Sequence, residues 1–350
     1  MACGPAFGVE LKPLSSALMR KAALFHDYPA TDGDVFGQGR RERIAALTAL
    51  YPTVINARNF WQHTTALKDV EVIFATWGMP ALSDEQLAVM PQLKAVFYAA
   101  GNVKAFARPL VERDVVLVSA WAINAIATAQ LVLSQILLTC RGYFRSVRQY
   151  QATQDVVTAK AFWRSGASGE HVGLIGTGWI AQRLAAHLHA FGFRVLAADP
   201  YLTAEKARRL GVEAVSLDDL FRRSYIVSNH VPDLATTKGL LGRGLFQSMR
   251  DGATFINSGR GAQVIESELV AVMRQRPDLT ALLDVTFPEP PLPDSPLWTL
   301  PNVVMSPHVG GTIGDEVTRL ADCAIEEFVA WDAGNPLRYQ VTRAVLETMG

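Results

Sequence analysis

From Ala22 onward, short runs of apolar, β-favouring residues alternate with stretches in which apolar positions recur every three or four residues. AALFHD, VEVIFATW, KAVFYAAG and VVLVSAW are separated by RRERIAALTALYP and SDEQLAVMPQL. A strand buried on both faces reads as a continuous apolar run, and a covering helix as a stripe of period 3.6, so the alternation predicts βα units on a parallel sheet. INAIATAQLVLSQILLTCRGYFRSVRQYQ predicts one long helix from about Asn124, after which the alternation resumes. HVGLIG, RVLAAD, YIVSNHV, ATFINSG, TALLDVT and NVVMSPH predict six strands, with helices at WIAQRLAAHLHAF and VIESELVAVMRQR. FPEPPLPDSPLWTLP holds too many prolines for a helix or an inner strand and predicts an ordered loop.

The pattern is that of an α/β protein with two doubly wound parallel-sheet domains. At 350 residues the chain exceeds the ~250–300 at which a single core stops growing. The first domain is expected over 1–122 and a second, inserted one over 123–312. Residues 313–350 then return to the first through the helix GDEVTRLADCAIEEFVAWDAG. No repeat of fixed period and no low-complexity run is visible.

Charge excludes some classes. Lys and Arg number 33 and Asp and Glu 33, so no basic field exists to attract a phosphate backbone, and nucleic acid is not an expected partner. Cys3, Cys140 and Cys323 are far apart and odd in number, which suggests neither a disulfide framework nor a zinc site and fits a reducing cytoplasm. The amino terminus, MACGPAFGVELKPLSSALMRKAALF, is broken by Gly, Pro, Glu and Lys before a signal-peptide apolar region could form. The longest apolar stretch, AQLVLSQILLTC, falls short of the ~20 residues of a bilayer span, so no membrane is expected.

The chemistry begins at GLIGTGWIAQRLA. Gly176, Gly178 and Ala181 follow a predicted strand and open a predicted helix at the spacing of a dinucleotide fingerprint. The first glycine permits the tight turn and the second lets backbone N–H groups approach a pyrophosphate at the helix N-terminus; Thr177, Trp179 and Ile180 belong to the same cradle. Asp199 ends the next strand at the ~20-residue offset of the carboxylate that accepts hydrogen bonds from an adenosine ribose. A carboxylate there repels a 2′-phosphate, and the following PYL offers no arginine, so NAD(H) is expected over NADP(H). The second domain is therefore read as a Rossmann NAD-binding domain, inserted in a flavodoxin-like substrate domain.

Three later stretches, INSGRGAQVIESEL, LLDVTFPEPPLPDSPLW and MSPHVGG, set Arg260, Asp284, Glu289 and His308 beyond the carboxyl ends of strands, where open α/β sheets bind ligands. Arg260 lies between two glycines, and its planar fork suits a carboxylate. His308 needs a partner to stay oriented, and a carboxylate such as Glu289 would favour its imidazolium. His26, His63, His171, His187 and His189 read as core histidines satisfied by backbone, as does His230 taken alone.

These stretches, together with HVPDLATTKGLL, resemble the D-isomer-specific 2-hydroxyacid dehydrogenase family, most strongly from Val172 to Gly311, in the manner of a glyoxylate or hydroxypyruvate reductase or a phosphoglycerate dehydrogenase. The resemblance implies that His308 is the general acid/base, Glu289 orients it, and Arg260 binds the substrate carboxylate and carbonyl. It places Asp284 near the nicotinamide and gives His230, Val231, Pro232, Ser258, Gly259 and Gly310 to the cofactor. Trp77, Gly78 and the loop Ala100, Gly101, Asn102, Val103 are implied to meet the substrate, with Met79, Trp121 and Trp298 as further candidates for shaping its pocket. It also implies a homodimer, with the long helix as candidate interface, and a small 2-oxo or 2-hydroxy acid as substrate. Asn102 and Val103 depart from the family's usual Val-Gly, Ile265 stands where Asp is frequent and Gln130 where Glu is. The residues up to Gly350 leave no room for the regulatory domain of some members. A relative that acts on formate is disfavoured because those enzymes carry Gln in place of Glu289. An NAD-sensing scaffold like the family's corepressor branch is the alternative; the absence of a basic patch or long polar flanks weighs against it.

Overall fold

The computed structural model describes residues 19–27, 34–160 and 166–349; the amino-terminal segment and Cys3 lie outside them. The chain divides into two compact units, unit 1 being Met1–Ala120 with Val317–Thr342 and unit 2 being Trp121–Glu316 with Arg343–Gly350.

Unit 1 runs β1 Lys21–Phe25, α1 Arg40–Leu47, β2 Ala49–Leu50, α2 Thr64–Leu67, β3 Val72–Ala75, α3 Asp84–Val89, β4 Ala95–Tyr98, α4 Ala107–Glu112 and β5 Val116–Ser119. Its five parallel strands lie in the order β2-β1-β3-β4-β5, the flavodoxin-like winding. Register places Leu24, Phe74, Phe97 and Val118 in one row across the sheet. The central strands are buried at every position, as strands covered on both faces must be.

Unit 2 begins with α5 Trp121–Cys140, α6 Tyr143–Thr153 and α7 Val156–Lys160. It continues through β6 His171–Ile175, α8 Trp179–Ala190, β7 Arg194–Ala198, α9 Ala204–Leu210, β8 Glu213–Ala214, α10 Leu217–Arg223 and β9 Ile226–Asn229. The second half is α11 Arg243–Gln247, β10 Thr254–Asn257, α12 Glu266–Gln275, β11 Thr280–Leu283 and β12 Val303–Met305. The sheet is parallel in the order β12-β11-β10-β9-β6-β7-β8, so strand order reverses between β6 and β9, where a ligand crevice opens in such folds. Phe221, Phe246 and Phe255 pack edge-on and stacked beneath it.

α13, Thr318–Asp332, returns to unit 1 as the apolar stripe of its sequence predicts. It closes the core with Phe328, whose ring lies 5.3 Å from Phe74 and 5.6 Å from Phe97. Glu327, 1% exposed, accepts the Nε–H and backbone N–H of Arg338 and so fixes the chain that follows.

Four expectations change. The helix predicted as one piece from Asn124 starts at Trp121 and is broken at Gly142, whose φ of 69° is left-handed and open to glycine. Each sheet gains a two-residue strand too short for a readable period, β2 inside the stretch RRERIAALTALYP expected as helix and β8 as the seventh strand of unit 2. α14, Arg343–Thr348, groups with unit 2 rather than with the returning segment; six residues carry no stripe that would show it. Finally, α5 is 20 residues with a mean hydropathy of 1.6 over its most apolar window, long and apolar enough by length and composition to cross a membrane, contrary to the shorter stretch seen in sequence. Its Val132, Ile136 and Cys140 instead join the core of unit 2.

Phe328→Ala is expected to cost unit 1 about 3–5 kcal/mol, because the rings of Phe74 and Phe97 lose their packing against it. An unchanged urea midpoint for unit 1 would show that α13 does not close its core.

Candidate active site

The turn after β6 is built on Gly176, at φ 86°, where a Cβ would press on the His230 carbonyl at 3.1 Å. A Cβ on Gly178 would meet nothing within 4 Å, so its face is an open cradle, and Gly178 is the N-cap of α8 with no side-chain cap bond. That arrangement suits an anion such as a pyrophosphate. Trp179 is exposed and Ile180 half-buried at its rim. Asp199 stands at the end of β7, where its Oδ2 accepts the Thr177 N–H at 2.7 Å and Oγ–H at 2.6 Å, and its Oδ1 the Tyr201 N–H at 2.8 Å. The residues present fit a dinucleotide.

His230, 8% exposed, lies between the Ser228 and Ser258 hydroxyls at 2.9 and 3.3 Å, and burial pushes its pKa down to about 3, so the ring is neutral. Its neighbours Val231 and Pro232 are held by a side chain absent from the sequence reading. The Gln263 Nε2 donates to both their carbonyls, at 2.8 and 2.9 Å, while its Oε1 accepts the Arg260 N–H at 3.0 Å and an Asn229 Nδ2–H at 2.5 Å. Asn229 also donates to Asn257 Oδ1, which accepts the Gly259 N–H, and Asn257 donates to the Arg260 carbonyl. All three amides are at most 1% exposed. Their one sequence signal is that two apolar strands, IVSN and TFIN, both end in Asn, and these pair in register.

The network explains the glycines around Arg260. A Cβ on Gly259 would meet Gln263 Oε1 at 2.8 Å, and one on Gly261 would fall 1.9 Å from the Thr286 backbone. Arg260 is half-buried; Nη1 donates to the Gly259 carbonyl at 2.7 Å, leaving the rest of its fork without a partner among the described residues.

Asp284, 4% exposed at the end of β11, accepts the Ser306 Oγ–H, the Val309 N–H at 2.9 Å and the Gly310 N–H at 2.8 Å. Gly310 allows this approach, since a Cβ would lie 2.6 Å from the carboxylate. Asn124 Oδ1 holds Thr312 at its N–H and Oγ–H. Between these anchors His308 takes φ 54°, a left-handed conformation that a non-glycine residue adopts at a cost of order 1 kcal/mol. Its Nδ1 lies 2.6 Å from Glu289 Oε1. A carboxylate only accepts, so Nδ1 carries the proton and Nε2 is turned to whatever lies beyond. Both side chains are nearly half exposed, at 47 and 42%, and such a pair adds about 1 kcal/mol or less to stability; orientation is what it provides.

Residues 133–310 match the model of the D-isomer specific 2-hydroxyacid dehydrogenase NAD binding domain. The chain belongs to this family. D-3-phosphoglycerate dehydrogenase of Archaeoglobus fulgidus is 31% identical over 277 residues, 75% of this chain and 52% of the relative. Glyoxylate reductase of Aeropyrum pernix is 35% identical over 179 residues, 51% of this chain and 53% of the relative. The chain spans about half the length of the curated relatives it matches. The apo D-mandelate dehydrogenase of Rhodotorula graminis shares the fold, with a TM-score of 0.77, 23% identity and coverage of 93% of this chain and 98% of that one.

Of the remaining residues that the dehydrogenase family pattern singles out, Trp77, Gly78, Met79 and Ala100–Val103 follow β3 and β4 at the carboxyl edge of unit 1's sheet, while Trp121, Gln130, Ile265 and Trp298 belong to unit 2. Gly78, at φ 78°, abuts the Asp27 backbone. Ser119 Oγ donates to the Ala100 and Gly101 carbonyls at 2.8 and 2.6 Å, and Thr76 to that of Ala99. In a trans peptide the N–H points opposite to its C=O, so the Gly101 and Asn102 N–H groups face away from Ser119. Asn102 Oδ1 accepts the Lys104 N–H, an internal turn contact, and Val103 is fully buried. Trp77 and Trp121 are half-buried and Met79 is buried. Trp298 is a loop anchor, its Nε1 donating to the Leu292 carbonyl. Ile265 is the N-cap of α12 and supplies no cap bond, and Gln130 is exposed on α5. Of the other histidines, His26 departs from expectation in leaving a buried Nδ1 unpartnered.

Gln263→Leu keeps the volume but strands two carbonyls and two N–H groups. It should cost unit 2 about 3 kcal/mol or more. Retention of wild-type stability in urea would remove Gln263 from its central place.

Proposed function

We propose that this protein is an NAD(H)-dependent oxidoreductase that interconverts a small 2-oxo acid and its 2-hydroxy acid. The observation that carries the reading is the 2.6 Å contact of His308 Nδ1 with Glu289, which leaves Nε2 as the exchanging atom. NADH, when bound, supplies the hydride that reaches C2. Protonated His308 gives its Nε2 proton to the carbonyl oxygen as charge develops there, and takes it back in the reverse direction. Glu289 stabilises the imidazolium and holds its plane. Arg260 receives the substrate carboxylate on the open part of its fork, which converts binding into orientation. The outward N–H groups of the Ala100–Val103 loop are donors suited to the same kind of group. The names of the similar proteins, a phosphoglycerate dehydrogenase and a glyoxylate reductase, support the 2-hydroxy acid class.

The working form proposed is a cytoplasmic homodimer. In support, Leu138, Tyr143, Tyr150, Val156 and Val157 expose apolar surface along α5 to α7, and none of the residues of α6 is buried. Light scattering should give twice the 38.2 kDa chain mass, and Tyr150→Asp with Val157→Asp should return it to the monomer value; a monomeric wild type would refute the dimer.

Disappearance of NADH absorbance across a panel of 2-oxo acids tests the activity, and silence throughout would overturn it. His308→Gln should lower kcat by ~10²–10⁴-fold with NADH binding intact. Arg260→Ala should raise KM for the oxo acid by roughly 10- to 100-fold; an unaltered KM would show that the carboxylate binds elsewhere.

A further inference from the structure

Lys206 lies outside every motif of the cofactor site, yet its side chain reaches into it. Thr203 caps α9 by accepting the Lys206 N–H, which sets the lysine in the helix's first turn, and Nζ then donates to Thr177 Oγ1 at 2.9 Å. A hydroxyl has one proton to give. That of Thr177 goes to Asp199 Oδ2, so Thr177 accepts from the ammonium and donates to the carboxylate. Thr177 is only 2% exposed, and this relay fixes its rotamer. The ammonium is thus held a hydroxyl's width from the carboxylate that faces an adenosine ribose. It keeps two further N–H donors, and among the described residues no carboxylate lies within ion-pair distance of it.

We propose that Lys206 is a specificity-determining residue that reads the 2′ position of the adenosine ribose, so that the site accepts a 2′-phosphorylated nicotinamide dinucleotide beside the unphosphorylated one. The inference rests on the NAD(H) reading of the cradle and extends it. A ribose hydroxyl donates to Asp199 and gains little from the lysine, whereas a 2′-phosphate brings charge that Asp199 alone would repel. Lys206 offsets that repulsion and offers the phosphate a compact cation with free donors. Sequence hides this because the preference is usually read from the residues just after the strand, here Pro200, Tyr201 and Leu202, while the cation comes from the following helix.

Fluorescence titration of the whole protein with NADH and with NADPH, without substrate, tests the assignment. Wild type should bind both, NADH more tightly. Lys206→Met should weaken NADPH roughly tenfold, the size of a lost charge-assisted hydrogen bond, and leave NADH nearly unchanged. Lys206→Arg should retain NADPH, and added salt should erode NADPH binding more than NADH binding. The proposal is overturned if wild type takes NADH but no NADPH, or if Lys206→Met weakens the two alike or neither. Failure of wild type to bind either nucleotide overturns the cofactor reading itself.

Discussion

The carboxamide of Gln263 is the point on which the site in unit 2 depends. Its two donors close on the loop after β9, and its acceptor closes on the backbone of Arg260 in the loop after β10. The first loop carries the neutral His230 beside the glycine turn, and the second carries the guanidinium. Both lie past the ends of their strands, and the second has only the short 3-10 turn Gly261–Gln263 to set its backbone. A buried amide that uses every donor and acceptor fixes both at once, because any displacement of one loop leaves a polar group of the other unpaired in a dry environment. Gly259 and Gly261 follow from the same constraint, as the space where their side chains would stand is filled by the amides and by the Thr286 backbone.

That the network is uncharged matters. A buried ion pair would hold the loops as firmly in geometry, but its desolvation can cost as much as its attraction returns. It would also impose a field beside the glycine turn and the Arg260 guanidinium. Asn229, Asn257 and Gln263 hold without adding a charge. Lys206 adds a positive charge beside the cradle, half-buried and fastened by a hydroxyl.

The broad organisation is written in the chain as period. Every strand longer than two residues, and the break between the two α/β series, follows from apolar runs alternating with helical stripes. The glycine turn of the fingerprint and the meeting of Glu289 with His308 were legible because both are tied to local spacing beyond strand ends. The contacts between strands that are distant in sequence were not. Asn229 and Gln263 lie 34 positions apart, and each alone reads as an ordinary turn residue. Gly142 shows the opposite failure: the apolar stripe continues across it, while its left-handed backbone ends the helix. Periodicity reports which face is apolar and is silent about a single φ angle.

The loop of His308 shows how rigid and open parts of one site are divided. Asp284 sits almost without solvent and takes three donors from the turn, and Asn124 takes two from its far end. These bonds sustain the left-handed conformation that His308 would otherwise leave. The imidazole and Glu289 stand in solvent and add little to stability, so the fixed geometry they share has to be supplied from beneath. A side chain left open to solvent gives up the packing that would hold it. The buried Asp284 carries that constraint for the exposed His308, so the two side chains of this turn are fastened at different depths.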